Sequence, residues 1–487
     1  MNKLINFTLS IACICTFYSC AGDDDSDGES GIYLSNELGI LTEMSGDKFS
    51  DFSDNPFIDA KENSVSTFSV DADGASYSIM RKYLKSNWKV EKNSVRIEEF
   101  LNYFTFNYQE PTDDNTVAIN SELGTCPWDT THYLLRLGIK GKALTEIPQS
   151  NYVFLIDVSG SMSSENKLPL FKKCLMNFVE NTNPEDRISI VTYSGDVRLL
   201  LESTPAKESK KINSAIEKLS ADGCTNGGDA LKMAYREALN NYIEGGNNRV
   251  ILGTDGDFNF GITSTDELLE LVSSYADKGI YMTTCGFGSG NLNDAMMEKI
   301  SNRGNGTYEY IDCENQMLKV FLYERSKFYA VASDSKCQIT FNNEFVSQYR
   351  LIGYENRVLN TEDFTDDKKD AGEIGASQTI TALYEIIPNN NAKFSDSDNI
   401  AKFDFRYKKA LNLESITLNS SILPTSTLSN EFYFASGVAA FGMLLRESEY
   451  KGSSTFDLAA DLVKKGLDFD PNGYRAELLE LILKSNK

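Results

Sequence analysis

Asn151-Tyr152-Val153-Phe154-Leu155-Ile156 is an unbroken apolar run rich in β-formers, and it ends abruptly in small, oxygen-bearing residues. The run has the composition of a strand buried on both faces. It passes straight into Asp157-Val158-Ser159-Gly160-Ser161-Met162-Ser163, and helix-compatible sequence resumes near Lys167. Strand, loop and helix in that order make the repeating unit of an open α/β sheet, whose ligands bind at the carboxyl ends of its strands. Asp157, Ser159 and Ser161 place one carboxylate and two hydroxyls there, a donor set suited to a hard divalent cation. Taken alone, the same pattern also fits a serine-rich loop capping a helix.

Two further stretches favour the cation. Asp222-Gly223-Cys224-Thr225-Asn226-Gly227-Gly228-Asp229 reads as a loop leading into a helix and offers the hydroxyl of Thr225. Arg249-Val250-Ile251-Leu252-Gly253-Thr254-Asp255-Gly256-Asp257 reads as a second buried strand, ending in Asp255. In order and context, Asp157, Ser159, Ser161, Thr225 and Asp255 resemble the metal-ion-dependent adhesion site of von Willebrand factor type A domains. The resemblance implies that the serines and threonine touch the metal and that the aspartates act directly or through water. It also implies one coordination position left open for a partner's carboxylate. Mg²⁺ is the expected ion, with Ca²⁺ or Mn²⁺ as alternatives. Two carboxylates roughly neutralise such an ion and leave it able to accept another anionic oxygen. Asp257 is expected to turn away, because Gly256 takes the chain out of the sheet.

Residues 149–328 carry the whole α/β pattern. Strand-like runs at 152–156, 188–193, 197–201, 250–254, 281–287 and 306–311 alternate with helical patterns at 168–181, 209–219, 228–242, 265–276 and 293–300, and another helix is expected at 316–329. Ser194-Gly195-Asp196 is too short for a crossover, so the strands around it must form an antiparallel hairpin. The expected fold is a Rossmann-like von Willebrand A domain, a mostly parallel six-stranded sheet with one antiparallel edge strand. It is inserted between β-rich flanks, with helices at the C-terminus. The N-terminal flank (61–148) holds strands near 116–139, and the C-terminal flank (329–428) holds strands near 337–407. Neither set makes a good sheet alone, so the two are expected to pair into one β-domain. Residues 429–487 read as helices, the last with Pro471 at its start, and Asp73 reads as the cap of a helix.

The N-terminus reads as an address. Residues 1–19 have one positive charge and then an apolar run, the pattern of a secretory signal. Phe17-Tyr18-Ser19-Cys20 resembles a bacterial lipobox, which implies cleavage before Cys20 and lipidation of its sulfur. Ala21-Gly22-Asp23-Asp24-Asp25-Ser26-Asp27 begins an acidic tether over residues 20–60, similar to the export signal of Bacteroidetes surface lipoproteins. The implied location is the outer membrane, lipid-anchored and surface-exposed, the periplasmic face being the alternative. No other stretch is long and apolar enough for a membrane helix. Six cysteines remain beyond Cys20, none in a C-x-x-C pair, and mostly free thiols are expected.

The flanks carry a second resemblance. Val65-Ser66-Thr67-Phe68-Ser69-Val70-Asp71-Ala72-Asp73, Arg96-Ile97-Glu98-Glu99 and Cys126-Pro127-Trp128 resemble the N-terminal flank of bacterial von Willebrand factor type A domain lipoproteins of the YfbK-like family. Tyr349-Arg350-Leu351-Ile352-Gly353-Tyr354-Glu355-Asn356-Arg357 and Asp370-Ala371-Gly372-Glu373-Ile374-Gly375-Ala376 resemble its C-terminal flank.

A formal net charge of −24 argues against nucleic acid, which needs a basic face. The chain has one histidine, His132, no G-x-S-x-G elbow and no phosphate-binding glycine loop, so no established catalytic constellation is legible. The expected function is therefore divalent-cation-dependent binding to an unidentified protein that supplies an Asp or Glu carboxylate. The alternatives are an envelope scaffold whose metal only stabilises loops and, less favoured, a metal-assisted hydrolase.

Overall fold

Val65-Ser66-Thr67-Phe68-Ser69 forms β1 (Val65–Ser69), with Phe68 fully inside. The computed structural model that gives this fold describes residues 46–486, apart from 52, 71, 113, 224–229, 257–264, 291, 370, 392 and 410–413. Helices α1 (Ala75–Lys85) and α2 (Ile97–Asn102) follow, then a hairpin of β2 (Val117–Thr125) and β3 (Tyr133–Gly141).

The α/β unit begins with the apolar run, which is β4 (Ser150–Asp157). Its successors are α3 (Leu168–Asn181), β5 (Arg187–Tyr193), β6 (Val197–Pro205), α4 (Ser209–Glu217), α5 (Ala230–Asn240), β7 (Asn247–Thr254), α6 (Thr265–Ala276), β8 (Ile280–Phe287), α7 (Asp294–Arg303) and β9 (Tyr308–Ile311). The sheet order is β9-β8-β7-β4-β5-β6, parallel throughout except for β6, which turns back on β5 through Ser194-Gly195-Asp196. This is the expected six-stranded sheet with one antiparallel edge. Alternation along β4 splits the apolar run between two cores. Tyr152, Phe154 and Ile156 pack with Phe171 and Phe178 of α3, while Val153 and Leu155 pack with Ala234 of α5 and Val272 of α6. Each fully buried side chain of this kind contributes roughly 1.5–3 kcal/mol.

After the unit come β10 (Ala330–Phe341), β11 (Val346–Ile352), β12 (Thr379–Pro388), β13 (Ala401–Lys408) and β14 (Ile416–Ile422). The two flanks do pair with each other, as two sheets of one β-domain. In the first, β3 lies between β2 and β12, and β12 continues to β11 and the short strand Ile58–Asp59. In the second, β1 pairs with β10, which continues to β13 and β14. Phe68, Leu137, Ile339, Tyr384 and Phe403 from both sheets share one core. Two sheets face to face bury the apolar side of each, which one long twisted sheet would leave exposed.

Helices α8 (Asn430–Leu445), α9 (Phe456–Lys465) and α10 (Tyr474–Ser485) pack on α1 and α2. The chain is already fastened before residue 60, where the tether was expected to end. From residue 46 it lies against the loop after β8, with Lys48 N donating to the Leu292 carbonyl at 2.8 Å. The expected signal peptide, Cys20 and the acidic run all lie outside the described residues.

Three local expectations need correction. Asp73 caps no helix: α1 starts at Ala75 without a side-chain cap, and the buried Asp73 instead accepts a hydrogen bond from Tyr308 N of β9 at 2.7 Å. The helix expected at 316–329 is broken into Glu314–Leu318, a π turn at Lys319–Tyr323 and a 3₁₀ turn at Arg325–Phe328. The π turn carries buried Lys319 over the rings of Tyr103 and Tyr474, 4.6 and 5.5 Å from their centroids. Pro471 precedes α10 instead of starting it, and Asp470 caps the first turn by accepting from Arg475 N and Ala476 N at 3.1 and 2.9 Å. The five described cysteines, Cys126, Cys174, Cys285, Cys313 and Cys337, are all unbridged; Cys224 lies outside the described residues.

His132 is held in the sandwich, its Nδ1 2.7 Å from Glu385 Oε1. That hydrogen bond holds the imidazole above its ordinary range, against a smaller opposing effect of burial. A raised folded-state value means the stabilisation is complete below the unfolded-state value, about 6.5, and is lost as pH rises through the folded one. Because His132 is the only histidine, its ring protons should give one NMR titration, with a midpoint above about 6.5 that drops in Glu385→Gln. A wild-type midpoint at the ordinary value would contradict this contact.

Candidate metal site

Asp157 closes β4 with its side chain entirely buried at the carboxyl edge of the sheet. One carboxylate oxygen accepts from Ser159 N at 2.9 Å; the other faces the hydroxyls of Thr254 at 3.2 Å and Tyr193 at 3.4 Å. The group is thus fixed from three strands, β4, β5 and β7. Burial pushes its carboxyl up to about 6, hydrogen bonds from Ser159 oppose the shift, and the nearby charge of Asp255 adds to it.

The chain leaves β4 in a 3₁₀ turn, Gly160–Ser163, anchored by buried Met162. Ser159 is buried and Ser161 exposed, so the loop runs from the sheet out to solvent. Their hydroxyl oxygens lie 3.0 Å apart. Adjacent corners of an octahedron with bonds of about 2.0–2.1 Å are separated by about 2.9 Å, so the pair matches the spacing two neighbouring Mg²⁺ ligands need. The segment before residue 224 is stitched to this loop: Asp222 N donates to the Val158 carbonyl at 2.8 Å, Gly160 N to the Gly223 carbonyl at 3.2 Å, and Ser194 Oγ to the Asp222 carbonyl at 2.6 Å. Cys224 and Thr225 come next in sequence and lie outside the described residues.

Asp255 follows β7, the strand beside β4, and is fully buried. Gly256 turns the chain with φ +102°, as expected of the residue that takes it out of the sheet; Asp257 lies outside the described residues. Asp157, Ser159, Ser161 and Asp255 therefore meet at one sheet edge, all oxygen donors, and the chemistry of the set fits a hard divalent cation. Among the described residues no group of three or more carboxylates, thiols or imidazoles is placed to hold a metal ion.

Lys167 was not foreseen. Its ammonium donates to Asp255 Oδ2 at 2.8 Å, with both residues buried. It caps α3, where the helix dipole disfavours a cation, and that misfit is the one trace it leaves in the sequence. α3 and β7 are pressed together beside it. A Cβ on Gly253 would lie 1.9–2.7 Å from three atoms of the Phe171 ring.

Known proteins resemble the chain in three parts. Residues 151–321 match the family described as von Willebrand factor type A domain, residues 43–136 the one described as von Willebrand factor, and residues 326–487 the one described as Uncharacterized protein YfbK, C-terminal. The Escherichia coli protein YfbK is 37% identical over 462 residues, covering 89% of this chain and 80% of that protein. Synechocystis protein sll0103 is 27% identical over 177 residues, covering 36% of this chain and 41% of that protein. Homo sapiens inter-alpha-trypsin inhibitor heavy chain H3 is 29% identical over 189 residues, covering 36% of this chain and 21% of that protein.

The closeness of Gly253 to Phe171 is testable. Gly253→Ala should force α3 away from β7 and lower stability by about 1–3 kcal/mol, the usual cost of overpacking a full core. Urea unfolding of the two proteins measures it; an unchanged midpoint would mean that the helix has room to shift.

Proposed function

Because the chain belongs to the family of Escherichia coli YfbK, a family built around a von Willebrand factor type A domain, we propose that it is a cation-dependent protein-binding module of the cell envelope. One observation carries the reading: Asp157, Ser159 and Ser161 at the end of the central strand converge with Asp255 from the neighbouring strand. Thr225 would complete the set. A bound Mg²⁺, or Ca²⁺ or Mn²⁺, would supply an electrophilic position to which a partner's Asp or Glu carboxylate binds. Asp157 is pre-set by the Ser159 amide and the Thr254 hydroxyl, so little reorganisation is needed at that ligand. Ser161 is exposed, which puts the solvent-facing side of the site on its side of the loop.

The chain acts here as a binder and not as an enzyme. His132, its one imidazole, is engaged by Glu385 in the sandwich, away from the sheet edge. Cys20 would carry lipid after removal of residues 1–19, anchoring the protein at the outer membrane through its acidic tether. Among the described residues no helix is long and apolar enough to cross a membrane.

Calorimetry should detect Mg²⁺ binding that Asp157→Ala abolishes; equal affinity in the two proteins would sink the metal assignment. In pull-downs from outer-membrane extracts, partner capture should need Mg²⁺, reverse with chelator and disappear in Asp255→Ala. It should survive Asp257→Ala. Loss in both variants would place Asp257 in the site and refute an open coordination position, while capture indifferent to chelator would favour a scaffold.

A further inference from the structure

We infer that Lys167 is a built-in competitor of the cation: its ammonium must leave Asp255 before a divalent ion engages that carboxylate, and so it sets how tightly the ion is held. The inference rests on the metal-site reading above. Its own ground is the 2.8 Å contact from Lys167 Nζ to Asp255 Oδ2, made between buried groups. An ammonium and a divalent ion on one buried carboxylate repel strongly, since little water screens them. One must yield.

The lysine's path is built, not incidental. Its stem lies flat on Gly288, where an added Cβ would stand 2.2–3.0 Å from Lys167 Cε, Cγ and Cδ. Gly288 has φ +74°, a conformation that favours glycine on its own account. The Gly288 carbonyl accepts from Lys82 Nζ of α1 at 2.8 Å and also from the Tyr310 hydroxyl. Farther along the same loop, the carboxylate of Asp47 accepts from Gly290 N at 2.7 Å and Leu292 N at 3.0 Å. Groups from the N-terminal segment and from α1 thus brace the surface on which the competing ammonium rests.

The test is Mg²⁺ calorimetry on the full chain as wild type, Lys167→Met and Lys167→Gln. Glutamine keeps a hydrogen-bond donor but loses the charge. Both variants should bind Mg²⁺ about tenfold tighter, the smallest gain expected from removing one charge-assisted hydrogen bond. Equal or weaker binding in the variants overturns the inference and leaves the metal site standing. No Mg²⁺ binding by any of the three removes both. A second measurement needs no variant: acylation of Lys167 in the wild type, read by mass spectrometry, should rise in Mg²⁺ over chelator as the ammonium leaves Asp255. Unchanged labelling overturns the inference even if neither variant folds.

Discussion

A guanidinium sealed from water holds the inserted unit to its flanks. Arg96, just before α2, donates to both carboxylate oxygens of Asp294 at 2.6 and 3.2 Å and also bonds Glu99. Asp294 is the first residue of α7, so the contact ties a flank helix to one of the last elements of the α/β unit. Arg81 repeats the arrangement, reaching Asp312 beyond β9 and Glu477 of α10 at 3.1 Å. Charges this deep are tolerable only when fully paired, and removing one partner typically costs 3–5 kcal/mol. The arrangement is therefore intolerant of partial occupancy: the unit is either docked in one orientation or its charges are stranded. The direction in which the sheet edge faces follows from that.

The elements legible in the sequence were those whose information is local. β4 and β7 announce themselves as apolar runs, and the length of Ser194-Gly195-Asp196 dictates the β5–β6 hairpin. Asp157, Ser159, Ser161 and Asp255 could be read because a strand end fixes where its next residues go. What failed was set at a distance. Asp73 obeys local capping logic on paper, but its partner is Tyr308 N, on the far strand of the inserted sheet. The helix after β9 breaks where Lys319 turns towards Tyr103 and Tyr474, neither of them nearby in sequence. Lys167 escaped notice because its counter-ion is 88 residues away. β14 escaped because Ile416-Thr417-Leu418-Asn419-Ser420-Ser421 alternates weakly, with polar residues an exposed edge strand tolerates. That the flanks would pair was arguable from their size; that they would divide into two sheets was not, because the division depends on which faces meet.

The site is economical with charge. Two hydroxyls, two carboxylates and a lysine share one sheet edge, and the charges are embedded where fields are weakly screened. Two carboxylates would roughly neutralise a divalent ion, while the hydroxyls beside them would leave its oxygen shell incomplete. This is the property that distinguishes a binding position from a structural metal caged by acidic side chains.

The insertion also sets an order of events during synthesis. Ser69 of β1 pairs with Lys336 of β10, and Tyr133 of β3 pairs with Ile386 of β12. The α/β unit finds all its sheet partners within itself and can close while the later strands are still being made. β1 and the second edge of β3 cannot. They wait with open backbone edges until about 250 residues have followed, and pairings this far apart in sequence form slowly and invite misassembly. For such a chain, the interval between emergence of β1 and arrival of β10 is the period of greatest exposure to aggregation. A prefolded insert that holds α1 and α2 by their arginines would shorten the remaining search.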